Sequence, residues 1–268
     1  MSVTRHLFSL LTAAVIGTTA VAAHANQLEQ IQKNGAITVG IDLGQAPFGM
    51  VDGQMKEVGS DVETARLLAK DLGVDLKIVS IAPANRIQFL MTNRIDIVVA
   101  SFSITEERKQ MVDFSTPYAV IQAAVATTGG RKVTDLKDLD GQEVAVSRGS
   151  TNDQIITKVA EEQGLTGMRI VRYDDTASAT NAVVSGQQDY FIVAPSLLAP
   201  VNAANPDHRI EPQLVLETFP LGIGLRKNEP EMKAWLDNWV TENLANGKLR
   251  DIYKTYHEVD LPDELPAQ

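Results

Sequence analysis

The stretch Asp96-Ile97-Val98-Val99-Ala100-Ser101-Phe102-Ser103-Ile104-Thr105-Glu106-Glu107-Arg108 decides the fold. Ile97 to Ala100 is apolar without alternation, as a parallel strand buried on both faces should be. Hydroxyl and charged residues follow at once. A buried strand that runs out into Ser, Ser, Thr and Arg puts polar groups at its C-terminal end, where open α/β sheets hold their ligands.

Upstream, Ile37-Thr38-Val39-Gly40-Ile41 reads as a strand. Ser60-Asp61-Val62-Glu63 has the form of a capping box. Val62, Ala65, Leu68, Ala69 and Leu72 make the apolar face of the helix it opens, and Gly73 stands where that helix should stop. Leu76 to Val79 is the next strand and Arg86 to Thr92 a short helix. The order βαβαβ implies a doubly wound parallel sheet.

Downstream the pattern recurs. Gly141 to Val146 repeats the opening strand, a helix from about Asn152 to Gln163 ends before Gly164, and Arg169-Ile170-Val171 and a helix from Ala177 to Ser185 lead into Asp189 to Val193. Gly35 and Gly141 are 106 residues apart, Gly73 and Gly164 are 91, and Asp96 and Asp189 are 93. Matching punctuation at similar spacing predicts two copies of one α/β unit. The extended runs Ala119–Ala126 and Phe219–Leu225 would then cross between them, with helices near Glu229–Asn246 and Lys248–Tyr256 returning to the first. The division expected is residues 26–128 plus 219–268 for lobe 1, with 129–218 inserted as lobe 2. Two lobes on two crossing strands form a hinge around a cleft.

The first 25 residues have a different character. Arg5 and His6 precede the apolar run Leu7–Ile16, and Ala23-His24-Ala25 completes the n-region, h-region and A-x-A site of a secretory signal peptide. Cleavage after Ala25 would leave 243 residues with 23 basic and 34 acidic side chains, a net charge of −11. That balance argues against nucleic acid, which is met by basic surfaces. The sequence holds no cysteine, which excludes disulfides, thiol nucleophiles and thiolate metal sites. Only His208 and His257 remain beyond the leader, too few for a histidine-built metal centre.

Ser101–Arg108, followed by Val112-Asp113-Phe114-Ser115-Thr116-Pro117-Tyr118, resembles the central motif of the polar amino-acid-binding proteins of ABC importers, the bacterial extracellular solute-binding proteins of family 3. Ala46-Pro47-Phe48, Gly59–Glu63 and Gly149-Ser150-Thr151 add to the likeness, which runs through the whole mature chain. It implies two doubly wound α/β lobes on a two-strand hinge, the periplasmic-binding-protein-like II fold. It also implies a monomer in the periplasm that hands an amino acid or dicarboxylate to an inner-membrane permease with its ATPase. No cofactor and no metal is implied, and no enzyme activity.

Residue by residue, the resemblance gives Arg108 the ligand's carboxylate, which a guanidinium can clamp bidentately. Ser101 and Ser103 add hydroxyls and amides. The N–H groups of Gly149, Ser150 and Thr151, ahead of a helix, would meet the same anion from the other lobe. Asp42 and Phe48 follow the first strand on the ligand side. Arg86 resembles the cation of the subgroup that binds aspartate and glutamate.

The chain also departs from the pattern. Ala194 stands where the family carries the Asp that receives an α-ammonium, so Asp153, Asp174 or Asp175 would have to replace it, or the ligand lacks that amine. Gln45 and Pro83 occupy positions where many members carry aromatic walls. The pocket so drawn suits a small, polar, anionic ligand, while Asp42 could instead meet a polar or cationic side chain, which keeps neutral and basic amino acids open. The alternative is an enzyme like the cyclohexadienyl dehydratases, which share this scaffold and need a general acid in the cleft.

Overall fold

Asn26 opens the described part of the chain as the N-cap of its first helix, accepting from the Glu29 N–H. The computed structural model describes residues 26–266; the expected signal peptide lies outside them. The elements run α1 (Gln27–Asn34), β1 (Ala36–Ile41), β2 (Met50–Val51), β3 (Glu57–Val58), α2 (Ser60–Leu72), β4 (Asp75–Ser80), α3 (Arg86–Met91) and β5 (Ile97–Val98). Then come α4 (Glu106–Met111), β6 (Asp113–Phe114), β7 (Ala119–Thr127), β8 (Glu143–Ser147), α5 (Thr151–Gln163), β9 (Arg169–Tyr173), α6 (Thr176–Val184) and β10 (Tyr190–Val193). The chain closes with α7 (Leu198–Ala204), β11 (Glu211–Leu221), β12 (Gly224–Leu225), α8 (Pro230–Ala245) and α9 (Lys248–His257).

Two five-stranded sheets result, ordered β4-β1-β5-β12-β6 and β11-β7-β10-β8-β9. In each, three strands pair in parallel with the earliest in the chain in the middle: β4-β1-β5 and β9-β8-β10. In each, the third strand then pairs antiparallel with a strand from elsewhere in the chain, β12 on β5 and β7 on β10. The repeated glycines and aspartates mark this duplicated unit. The parallel core that the βαβαβ order implies is present in both sheets, and the long runs that leave and re-enter the first unit add the antiparallel strands. β7 and β11 pair antiparallel along their length, with register shifts between Pro212 and Leu214 and between Val215 and Glu217.

Ile97, Val98, Val99 and Ala100 are all fully buried, as the continuous apolar run requires. Gly73 and Gly164 end α2 and α5 in the left-handed region, at φ 74° and 67°. The capping box at Ser60 does not form. Gly59 is the N-cap and Ser60 already lies in the helix, its hydroxyl 3.0 Å from Nε2 of His257 in α9. The shift by one residue turns Asp61 inward, where it is buried.

Candidate functional site

β5 delivers Ser101 into an unusual backbone conformation, with φ +44°. A residue with a side chain holds that region only when its surroundings fix it. Here Asp61 does so. Its Oδ2 accepts the Ser101 N–H at 2.6 Å, while Oδ1 accepts the Tyr118 hydroxyl at 2.7 Å. Burial pushes the Asp61 carboxyl up to about 7 against the pull of those two donors. The Ser101 hydroxyl then donates to Gln45 Oε1 at 3.0 Å. Neither Asp61 nor Tyr118 was assigned a site role from the sequence. Each lies inside a quoted motif, but they are 57 residues apart and nothing in the spacing joins them.

Arg86, at the start of α3, is buried rather than solvated. Its Nη2 meets Asp42 Oδ2 at 3.2 Å and Gln45 Oε1 at 3.5 Å, and its Nε has no partner among the described residues. Asp42 also accepts the Gly44 N–H at 3.1 Å. Burial raises the Asp42 carboxyl, and the Arg86 charge offsets part of that rise. Asp42 is thus a counter-ion to Arg86, already engaged before any ligand arrives.

Thr105 caps α4, which presents Arg108 to the other sheet unit. The guanidinium donates to the Ser103 carbonyl at 2.9 Å, to Thr151 Oγ1 at 3.0 Å and to the Gly149 carbonyl at 3.4 Å. It lies 4.8 Å from the centre of the Phe102 ring, within cation–π range. No carboxylate partners it among the described residues. Burial, helped by the Arg86 charge, brings its pKa down to about 9.

Opposite Arg108, Ser150 caps α5 by accepting the Asp153 N–H. The Gly149 N–H donates to Asp153 Oδ2 at 3.0 Å and the Ser150 N–H to the Ser147 carbonyl. The expected trio of free amides is corrected accordingly. Gly149 contributes its carbonyl, and the N–H groups of Thr151 and Asn152 at the start of α5 remain without an acceptor among the described residues. Gly149 sits at φ +69°, and a Cβ there would stand 2.9 Å from the Cα of Ala84 across the cleft.

These groups surround a cavity of about 30 Å³ between the two units. Gln45, Pro83, Arg86, Ser101 and Ser103 line it from one side. Ser147, Ser150, Thr151, Asn152, Thr176 and Phe191 line it from the other, and Gln122 and Phe219 of the crossing strands close it. Arg108 stands behind Ser103 and Thr151. Phe48 does not reach the cavity. It is buried beneath α9, with its ring edge against His257 at 4.5 Å, because the chain between β1 and β2 folds back on α2. Ala194 is buried beside the cavity wall, at the start of a short 3-10 turn, and is not part of it.

The three acids considered as substitutes for Ala194 are engaged elsewhere. Asp153 bonds Gly149 N–H and Arg172, Asp174 is an exposed partner of Arg148, and Asp175 caps α6. Arg148 itself is half-exposed and bonded to the Arg172 carbonyl. Among the described residues, the side chains lining the cavity include no Asp or Glu.

Residues 37–259 match the model of the bacterial extracellular solute-binding proteins, family 3. A glutamate/aspartate import solute-binding protein of Salmonella typhimurium is 28% identical over 265 residues, covering 92% of this chain and 87% of that protein. Among solved structures, a mutant of ArgBP from T. maritima is 29% identical with a TM-score of 0.79, covering 87% of this chain and 100% of its own. The ancestral amino acid-binding protein AncCDT-1, a precursor of cyclohexadienyl dehydratase, is 30% identical with a TM-score of 0.76, covering 86% and 99%.

Proposed function

The chain belongs to family 3 of the bacterial extracellular solute-binding proteins, and from that footing we propose that it captures a small carboxylate-bearing solute of amino-acid size for an ABC importer. The observation that carries the reading is Arg108. It is a buried guanidinium whose acceptors are all neutral, and two of them, Thr151 Oγ1 and the Gly149 carbonyl, lie at the start of α5. A carboxylate set between the guanidinium and that helix start gains charge-assisted bonds and the favourable end of a helix dipole. Amino acids, acidic ones included, fit that description, and the Salmonella relative is named for glutamate and aspartate.

The cycle follows from the geometry. Lobe 1 (26–128 plus 219–268) holds Arg108, and lobe 2 (129–218) holds the start of α5. Parting them exposes two half-sites. A carboxylate that contacts both at once binds the closed form more tightly, and that difference moves the population. An inner-membrane permease with its ATPase then receives the closed monomer and its solute. Export with removal of residues 1–25 places the protein in the periplasm.

A second reading, catalysis of the dehydratase type, has the likeness to the AncCDT-1 structure in its favour. It needs a general acid within reach of the substrate. Asp42 is held by Arg86 and Gly44, so that role falls to no residue on the cavity wall.

A thermal-shift screen of the mature protein against amino acids and dicarboxylates, followed by calorimetry on Arg108→Ala, tests the binding reading. Loss of affinity in a folded variant is expected, and unchanged affinity refutes the clamp. Turnover of prephenate or arogenate in the same plate would establish the enzyme reading instead.

A further inference from the structure

The cavity is rich in donors and poor in acids. Arg86 lies on its wall with Nε buried and unpartnered, and the Thr151 and Asn152 N–H groups open onto it. A buried donor without an acceptor is costly, so this wall favours a ligand that brings acceptors. Arg86 is paired with Asp42 and also feels the charge of the buried Asp61, while the hydrogen-bond acceptors of Arg108 are all neutral. The cavity wall thus carries a guanidinium and no carboxylate, while the protein as a whole is acidic.

The two guanidiniums are also close together. Both stand by the Phe102 ring, at 5.7 Å and 4.8 Å from its centre, so they are separated by less than the sum of those distances. The Arg86 charge weakens the hold of Arg108 on its proton. A ligand with one carboxylate near Arg108 and α5, and a second near Arg86, supplies an acceptor to each and relieves their repulsion. A protonated amine between those carboxylates would meet two cations and no acid on the wall, and an ammonium taken from water without a carboxylate partner is strongly disfavoured.

We propose that the cavity selects a four- or five-carbon dicarboxylate without a protonated amine, over the amino acid of the same skeleton. This rests on the carboxylate-capture reading and narrows it. Seating such a diacid requires the lobes to part around the 30 Å³ space and reclose.

Matched pairs isolate the amine: succinate against aspartate, and glutarate or 2-oxoglutarate against glutamate, titrated calorimetrically into the mature protein at pH 7.5. The diacid is expected to bind at least ~10-fold more tightly than its amino counterpart, a difference of about 1.4 kcal/mol. Equal or tighter binding of the amino acid overturns the proposal and leaves carboxylate capture standing. So does binding of neutral or basic amino acids with no response to diacids. If no carboxylate-bearing compound binds, both fall.

Asn152→Asp gives a second arm. It sets an acid on the wall at a helix N-terminus, where an acid is tolerated. The preference should then move at least ~10-fold toward the amino acid, by the same affinity scale. An unmoved ratio in a variant of unchanged melting temperature also overturns the proposal.

Discussion

Replacing Arg108 with Met should separate what the residue does for the ligand from what it does to the fold. The side chain is buried and its pKa falls from the ordinary arginine range to about 9, chiefly because burial penalises the cation. At 1.36 kcal/mol per unit that is a burden of about 5 kcal/mol on the unliganded folded state at neutral pH. Its three hydrogen bonds to Ser103, Thr151 and Gly149 return about 1 kcal/mol each. Met keeps an apolar contact with the Phe102 ring and drops both sets of effects. The variant without ligand should therefore be more stable by about 2 kcal/mol, or about 4–8 °C for a chain of this size. The sign is fixed by linkage. The folded protein gives up this proton more readily than the unfolded chain, so the wild type closes the gap as pH rises above about 9. Affinity should move the other way, because two charge-assisted bonds to a carboxylate contribute about 3–6 kcal/mol, or roughly 10²–10⁴ in Kd. Differential scanning fluorimetry and isothermal titration calorimetry read the two effects separately. A melting temperature several degrees below wild type would refute the uncompensated-cation argument, and a Kd within ~10-fold of wild type would refute the clamp.

Other expectations follow from neighbouring residues. Gly149→Ala places a Cβ 2.9 Å from the Ala84 Cα and at φ +69°, so it should prop the lobes apart; small-angle scattering with saturating ligand should show a larger radius of gyration than wild type, and an identical one would count against it. Arg86→Met leaves Asp42 buried and unpaired and should cost about 3–5 kcal/mol, most of it recovered in the double variant with Asp42→Asn. Urea titrations would show additive losses if the pair were not coupled.

Two groups should act on stability in opposite directions between pH 4 and 7. Burial lowers His257 from 6.5 to about 4, so below pH 6.5 the unfolded chain takes up a proton the fold refuses, and stability falls with acidity by about 3 kcal/mol. Asp61 is raised from 3.8 to about 7, so the fold keeps a proton the unfolded chain releases, and stability falls by about 4 kcal/mol as pH rises through that window. Asp61→Asn should uncover a stability that climbs with pH, and His257→Gln one that declines. Parallel profiles for the two variants in chemical denaturation would contradict the assignment.

The sequence carried the architecture well where one residue acts alone. The apolar run Ile97–Ala100 could only be a strand covered on both faces, and Gly73 and Gly164 end helices because they accept the left-handed region. Arg108 stood out as a guanidinium among hydroxyls past a strand end, and the structure buries it against Ser103, Gly149 and Thr151. Legibility failed where a role depends on which neighbour arrives first. Ser60 has the pattern of a cap, but a one-residue shift gives its hydroxyl to His257 and turns Asp61 toward Ser101. Phe48 lies in the right loop for a ligand wall, yet α9, nearly two hundred residues later, buries it. The Gly149 amide looked free until Asp153, one helical turn on, accepted from it.

The crossing strands place the site on a mechanical linkage. Ser103 bridges to Leu221, the Ile104 N–H reaches the Pro220 carbonyl at 2.9 Å, and the Gly222 N–H reaches the Phe102 carbonyl at 3.1 Å. The segment that carries Phe102 and Ser103 is thus laced to the end of β11, as β7 is along β11's length. Force applied there has a short arm and little slack. The register is irregular between Pro212 and Glu217, further along the same strand. Stiffening that stretch should slow parting and reclosing together. The tempo of exchange and the strength of grip would then be set by different parts of one β-strand.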